Sequence, residues 1–169
     1  MPRQFDSCAL NERRNKGDRT LSRFLARHRK IALDTSVFIF QIEENPAYVA
    51  LTHQVFDWLT TPKARAITST ITMLEVSVHP YREDDKEGVD KFYALLSTYP
   101  HLEWGTTTLE IADGAAKIRA ECNLKTPDAV QAATALASKA TGIISNDPAF
   151  KRVSDLEVLI LDDLQKPQS

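Results

Sequence analysis

Short apolar segments alternate with longer amphipathic ones along this chain. Residues 31–33 form one such apolar run, as expected of a strand buried on both faces of a sheet. Further strands are predicted over residues 64–68, 102–107, 143–144 and 158–161. The intervening segments have helical periodicity, so the pattern predicts an α/β fold with a largely parallel sheet that helices cover on both sides.

Proline, glycine and small polar residues mark the predicted helix ends. Ser69 or Thr70 is expected to cap a helix that Pro80 ends. Residues 126–128, Thr-Pro-Asp, predict a capping hydroxyl, a proline in the first turn and an acid against the positive helix end. Gly142 is expected to close that helix before the next strand.

The length of 169 residues predicts one main domain, residues 31–164, between an N-terminal extension, residues 1–30, and a polar tail, residues 165–169. The extension carries nine Lys and Arg against three Asp and Glu, a charge of +6, and the remainder carries −8. A basic arm on an acidic body is typical of nucleic-acid contact, and a flexible solvated leader is the alternative. Three apolar residues within the extension can form one face of a short helix: Leu21, Phe24 and Leu25.

Several classes of protein are excluded by composition. Cys8 and Cys122 are far apart in the sequence, and the four histidines lack ligand spacing, which argues against disulfide scaffolds and zinc sites. No apolar run approaches the roughly 20 residues that cross a bilayer, so no membrane partner is expected. The N-terminus has no apolar signal core, which makes the cytoplasm the expected location.

Three aspartates are expected at one edge of the sheet. Asp34 and Asp147 each lie just after a predicted strand, and ligands of such sheets bind at the carboxyl ends of the strands. Asp128 opens a helix at the same predicted edge. Each also has a structural interpretation, as a helix cap or a first-turn acid. Carboxylates about 4 Å apart repel by roughly 4 kcal/mol at an effective dielectric constant near 20, and a bound cation removes that repulsion.

Glu75 is the fourth candidate. It shares a predicted helix face with Ile71, Leu74 and Val78, so it is expected to point towards the interior or its margin. An ionised carboxylate there needs a cation or several donors, and a salt bridge to an arginine is the alternative. An all-oxygen ligand set without His or Cys favours Mg²⁺ or Mn²⁺. Such an ion binds phosphate oxygens and activates water, so hydrolysis of a nucleic-acid backbone is the expected reaction.

Four segments also carry a resemblance to a known family: Ile31–Ile39, Thr70–Val76, Thr126–Leu136 and Ile143–Phe150. In this order and spacing, over about residues 31–164, the chain resembles the PIN-domain nucleases. Within that family it resembles the VapC-like toxins of bacterial and archaeal toxin–antitoxin pairs. The resemblance implies a three-layer α/β/α sandwich with a central, mainly parallel five-stranded sheet. It also implies a Mg²⁺- or Mn²⁺-dependent endoribonuclease.

The resemblance assigns roles to particular residues. It implies a catalytic acidic cluster of four side chains: Asp34, Glu75, Asp128 and Asp147. The three aspartates would be the nearer metal ligands, directly or through water, and the glutamate would orient water or bind a second ion. Three further residues would support the site: Ser36, Ser145 and Arg119. The alternative for Arg119 is an ordinary surface arginine on a helix. The implied partners are an RNA substrate, a cognate antitoxin and a second copy of the chain in a homodimer.

Three other functions compete with this interpretation. A phosphatase of the haloacid-dehalogenase type also places an aspartate after an apolar strand, but it needs a second acid two residues on, where this chain has Ser36. A phosphate-receiver domain lacks support because no acidic pair precedes the strand. A PIN-like scaffold that binds RNA or protein without cutting is the non-enzymatic alternative.

Overall fold

The computed structural model describes the backbone of residues 7–165 and the side chains of residues 17–94 and 96–165. The strands are β1 (Ile31–Leu33), β2 (Ala66–Ser69), β3 (Leu102–Gly105), β4 (Gly142–Ser145) and β5 (Glu157–Ile160). The helices are α1 (Ser7–Arg27), α2 (Thr35–Ile42), α3 (Val49–Leu59), α4 (Thr70–Arg82), α5 (Lys86–Thr98), α6 (Leu109–Cys122), α7 (Thr126–Ala137) and α8 (Leu161–Gln165). A short 3₁₀ helix, Pro148–Arg152, precedes β5.

The five strands form one parallel sheet in the order β3-β2-β1-β4-β5. Strand β1 lies at the centre, where Ile31 is in register with Ala66 on one side and with Gly142 on the other. The strand order reverses at β1, and this reversal opens a crevice at the carboxyl ends of β1 and β4. The predicted α/β fold with a parallel five-stranded sheet is therefore confirmed.

Two separate apolar clusters cover the two faces of the sheet. Ile31 and Leu33 of β1 belong to the cluster formed with α1, α2 and α3, whereas Ala32 belongs to the cluster formed with α6 and α7. The neighbouring strand β4 shows the same alternation, since Ile144 lies in the first cluster and Ile143 in the second. Successive side chains of a strand point to opposite faces, so this division defines three layers with the sheet in the middle.

Helix α1 packs into the first of these clusters. Leu21, Phe24 and Leu25 are all buried there, on the single helix face that the sequence predicts. Gly142 at the start of β4 allows this contact, because a Cβ atom at that position would lie 2.7 Å from Cζ of Phe24. Residues 1–6 and 166–169 lie outside the described part of the chain, and the predicted division at residues 30 and 165 stays a prediction.

Three predicted helix ends are wrong. Pro80 does not end α4, which continues to Arg82, because the loss of one amide donor near the C-terminus leaves the earlier turns intact. Thr126 is the first residue of α7, and Lys125 occupies the cap position without a side-chain hydrogen bond. Gly142 lies in β4, after the helix has ended. Ser69 is the cap of α4, and its Oγ accepts a hydrogen bond from the amide of Ile71.

None of the helices within residues 7–165 has an apolar stretch long enough to cross a bilayer.

Candidate active site

Four structural elements bring the predicted acids to one cleft at the carboxyl edge of the sheet. Asp34 follows β1, Asp147 follows β4, Asp128 lies in the first turn of α7, and Glu75 lies in α4. The cleft has a volume of about 390 Å³ and is lined by Asp34, Thr35, Ser36, Ile39, Glu75, Asp128, Asn146, Asp147 and Pro148. The acidic cluster, defined as Asp34, Glu75, Asp128 and Asp147, thus shares one concave surface.

Asp34 lies at the bottom of this cleft and is only 7% exposed. Its Oδ2 atom accepts hydrogen bonds from Ser36 Oγ and Ser145 Oγ, both at 2.8 Å. The two serines are themselves held in place, since Ser36 accepts from the amide of Asn146 and Ser145 accepts from the amide of Asp147. Burial raises the pKa of Asp34, and the serine hydroxyls oppose that rise. Asp34 occupies the N-cap position of α2, as its structural interpretation predicts, but its side chain makes no capping hydrogen bond there.

Glu75 reaches the cleft from a different helix face than the sequence suggests. Leu74 is 61% exposed and Val78 is 37% exposed, so the predicted apolar face is not the buried one. The buried face of α4 includes Thr72 instead, and Glu75 lies at its margin. Glu75 Oε2 accepts a hydrogen bond of 2.5 Å from Thr35 Oγ1. A threonine hydroxyl, rather than the arginine considered as an alternative, therefore satisfies this carboxylate.

Asp147 and Asp128 combine a helix start with a place in the cleft. Asp147 Oδ1 accepts a hydrogen bond of 2.8 Å from the amide of Ala149, so the capping interpretation of this residue is correct. Burial raises the pKa of Asp128 to about 6, and the charges of Asp34, Asp147 and Glu75 add to the rise. The charges of the other three acids therefore reach Asp128 across the cleft.

The acidic cluster has the donor chemistry that a hard cation requires. Within the described part of the chain, no lysine or arginine nitrogen lies within 4.0 Å of its carboxylates, since all six ion pairs there involve other acids. No three Asp, Glu, His or Cys side chains among the described residues are close enough together to ligate one ion directly. Mg²⁺ keeps several waters when proteins bind it, so water-bridged carboxylates fit this ion.

The remaining predicted site residue, Arg119, is exposed on α6 and does not line the cleft. Lys125 is the basic residue whose charge acts on Asp128, and the sequence interpretation did not include it. It also missed Thr35, although this residue directly follows Asp34. Gln131 is a further residue that the sequence interpretation did not include: it is 3% exposed and its side chain contacts Thr35. The sequence does contain a signal that could have identified Gln131: it is an amide residue within an alanine-rich helix, three residues after the candidate ligand Asp128.

The fold and the cleft define an α/β protein whose acidic site lies at the carboxyl edge of a parallel sheet. The family model of the PIN domain matches residues 31–156, and the chain belongs to the PIN-domain family. The match includes every member of the acidic cluster. A comparison with curated protein sequences finds no match.

Three solved structures show the same fold. VapBC2 from Rickettsia felis, bound to a DNA fragment from its promoter, is 17% identical with a TM-score of 0.60, over 78% of this chain and 98% of that chain. VapBC-1 from nontypeable Haemophilus influenzae is 17% identical with a TM-score of 0.59, over 79% and 98%. A toxin–antitoxin complex from Klebsiella pneumoniae is 21% identical with a TM-score of 0.58, over 75% and 94%. At these identities the likeness concerns the fold.

Proposed function

We propose that this chain is a Mg²⁺- or Mn²⁺-dependent endoribonuclease that hydrolyses RNA phosphodiester bonds. The observation that carries the proposal is the acidic cluster: four carboxylates from four elements share one cleft, and no Lys or Arg among the described residues pairs with them. Such a concentration of negative charge is unfavourable unless a cation binds there. The cleft lies where α/β sheets bind ligands.

Each carboxylate has a part in this proposal. Asp34, Asp128 and Asp147 would hold the ion together, at least in part through bridging waters, and Glu75 would orient a water or hold a second ion. When bound, the ion would lower the pKa of a water and would neutralise charge on the phosphodiester. Ser36 would keep Asp34 in place by the hydrogen bond described above. Arg119 is left out of the proposed site because it is exposed and outside the cleft.

RNA is proposed as the substrate from the family and from the charge of α1. Arg19, Arg23 and Arg27 are exposed and follow one another at helical spacing of four residues, so they form a basic stripe along α1. The guanidinium of Arg27 also pairs with Glu157, so Arg19 and Arg23 are the members offered to phosphate. Gly17 lies against Leu164 of α8, which places the start of this stripe beside the carboxyl edge of the sheet. A stripe of arginines binds the phosphates of a polynucleotide irrespective of its sequence.

A role as the toxin of a toxin–antitoxin pair is part of the same proposal. An apolar groove adjoins the cleft, and Ile39 lines both. The groove is lined by apolar residues such as Val76 and Phe92 and by acids such as Glu43 and Glu83. A neutralising partner with apolar and basic residues matches this groove. The homodimer remains a prediction that light scattering of the purified chain will test.

RNA cleavage with matched variants tests the proposed activity. Purified chain is incubated with total RNA and Mg²⁺ or Mn²⁺, with EDTA as the metal control. Asp34→Asn should abolish cleavage, because it removes a charged ligand while keeping the size of the side chain. Asp155→Asn, an exposed residue just before the amino end of β5 and so at the opposite edge of the sheet from the cleft, should cleave like the wild type. Equal cleavage by the wild type and Asp34→Asn would refute the proposal.

The other outcomes separate the competing functions. RNA binding without cleavage, together with no heat of Mn²⁺ binding in calorimetry, would favour the non-catalytic scaffold. Hydrolysis of a small phosphomonoester, lost in Asp34→Asn, would favour the phosphatase. If expression in bacterial cells arrests growth and Asp34→Asn relieves the arrest, the toxin role is supported.

A further inference from the structure

Gln131 of α7 makes hydrogen bonds with all of its side-chain polar atoms inside the protein. Its Oε1 atom accepts from the backbone amide of Ser69 at 3.0 Å. Its Nε2 atom donates to Thr72 Oγ1 at 2.6 Å and to Thr35 Oγ1 at 3.2 Å. A backbone amide can only donate, so the contact with Ser69 fixes which end of the Gln131 amide is oxygen.

The direction of each remaining hydrogen bond follows from the single hydrogen that a hydroxyl carries. Thr68 donates its hydrogen to the carbonyl oxygen of Leu33 at 2.9 Å. Thr72 therefore donates to Thr68, at an oxygen–oxygen distance of 2.7 Å. Having used its hydrogen, Thr72 accepts one of the two Nε2 hydrogens of Gln131. The other Nε2 hydrogen goes to Thr35.

Thr35 connects this network to the acidic cluster. Its hydroxyl accepts from Gln131 and donates to Glu75 Oε2 at 2.5 Å. Every hydrogen along this path points from the Gln131 amide towards the Glu75 carboxylate. Gln131, Thr35 and Thr72 are buried, so bulk water does not replace these contacts when one is lost.

We propose that Gln131 is a positioning residue of the site: acting through Thr35, it fixes the orientation of the Glu75 carboxylate at the cleft. The expected effect of Gln131 on catalysis rests on the proposed ribonuclease function, whereas its effect on the orientation of Glu75 does not. Gln131 itself does not line the cleft, so it contacts neither substrate nor metal. Residues that orient a ligand in this way typically change metal affinity or activity by about 10- to 100-fold when they are replaced.

Steady-state RNA cleavage of paired variants tests the role. Gln131→Met keeps the length of the side chain but removes both donors, and Thr35→Val keeps its shape but removes the hydroxyl. Both should lower kcat about 10- to 100-fold with little change in KM, and Thr35→Ser should restore most of the loss. The control is Thr134→Val, on the same helix, because Thr134 is 3% exposed and its hydroxyl has no hydrogen-bond partner. This control should cleave like the wild type.

A spectroscopic measurement separates this inference from the proposed function. The ¹³Cδ resonance of Glu75, assigned with Glu75→Gln, should move in Gln131→Met and Thr35→Val and stay in place in Thr134→Val. This readout needs no activity, so it decides the positioning role even if the wild type fails to cleave RNA. If Gln131→Met does not fold, Gln131→Glu, which keeps an acceptor for Ser69 and removes the donors, takes its place. An unmoved Glu75 resonance, or an equal loss of kcat in Thr134→Val, overturns the inference.

Discussion

Replacing Asp128 by asparagine should stabilise the metal-free protein. Asp128 has its pKa raised to about 6 by burial and by the charges of Asp34, Asp147 and Glu75. The folded state therefore holds the Asp128 proton more tightly than the unfolded chain, whose ordinary value is 3.8. Stability from this group is fully present below pH 3.8 and is lost as the pH rises through about 6. Asparagine carries no charge and avoids that loss.

The size of the effect follows from the two pKa values. Each pKa unit corresponds to about 1.4 kcal/mol, which sets an upper bound of about 3 kcal/mol for the shift from 3.8 to about 6. Asp128 is only half-buried, so solvent screening reduces this to about 1–2 kcal/mol at neutral pH. For a chain of this length, that difference raises Tm by about 3–6 °C.

Scanning calorimetry in EDTA measures this gain. The Tm of Asp128→Asn should exceed that of the wild type at about pH 7.5, and most of the difference should vanish at about pH 4.5, where Asp128 is protonated. Asp155→Asn, an exposed acid outside the cluster, controls for a general loss of negative charge and should change Tm little. Added Mn²⁺ should raise the Tm of the wild type more than that of Asp128→Asn, since the ion binds the folded state. A lower Tm for Asp128→Asn in EDTA at neutral pH would refute the electrostatic argument.

Two further predictions concern α1. Gly142→Ala should lower the free energy of unfolding, measured by urea denaturation, by about 1–3 kcal/mol, because the new Cβ would lie 2.7 Å from Cζ of Phe24. An unchanged denaturation midpoint would mean that α1 does not pack on β4. Replacing Arg19 and Arg23 together by glutamine should reduce the salt dependence of RNA binding. In fluorescence anisotropy with single-stranded RNA, the slope of the logarithm of the binding constant against the logarithm of the salt concentration should fall in magnitude by about 1.4. An unchanged slope would exclude phosphate contacts by these two arginines.

The central strand and its aspartate were predictable because local chemistry decides them. Residues 31–33 are wholly apolar, and in the structure β1 is buried on both faces with a parallel neighbour on each side. A polar residue that lies at or just after the end of such a strand is at the carboxyl edge. That rule placed Asp34 and Asp147 at the same edge without any knowledge of the strand order.

The face of α4 was not predictable from apolar periodicity. Its buried side is partly polar, since Thr72 and Ser77 occupy it while Leu74 and Val78 are exposed. Apolar periodicity predicts the buried face of a helix only from its apolar residues. It does not recognise a buried threonine or serine whose hydroxyl is hydrogen-bonded to another element. The partner here is Gln131, which lies 59 residues away from Thr72 in the sequence. Only the packing of α7 against β2 and α4 brings them together.

A helix start and a candidate metal ligand turn out to be compatible uses of one carboxylate. Asp147 caps the 3₁₀ helix with Oδ1, and a carboxylate has a second oxygen with its own lone pairs. In a parallel sheet, every strand that leads into a helix places the positive end of that helix at the same carboxyl edge. Acids that suit helix starts therefore accumulate there, where the positive ends partly offset their mutual repulsion. The capping interpretation and the site interpretation thus predict the same residues. At Asp128, burial and the charges of the other three acids together raise the pKa although the residue lies in the first turn of α7, so the positive end of this helix offsets only part of what opposes its ionisation.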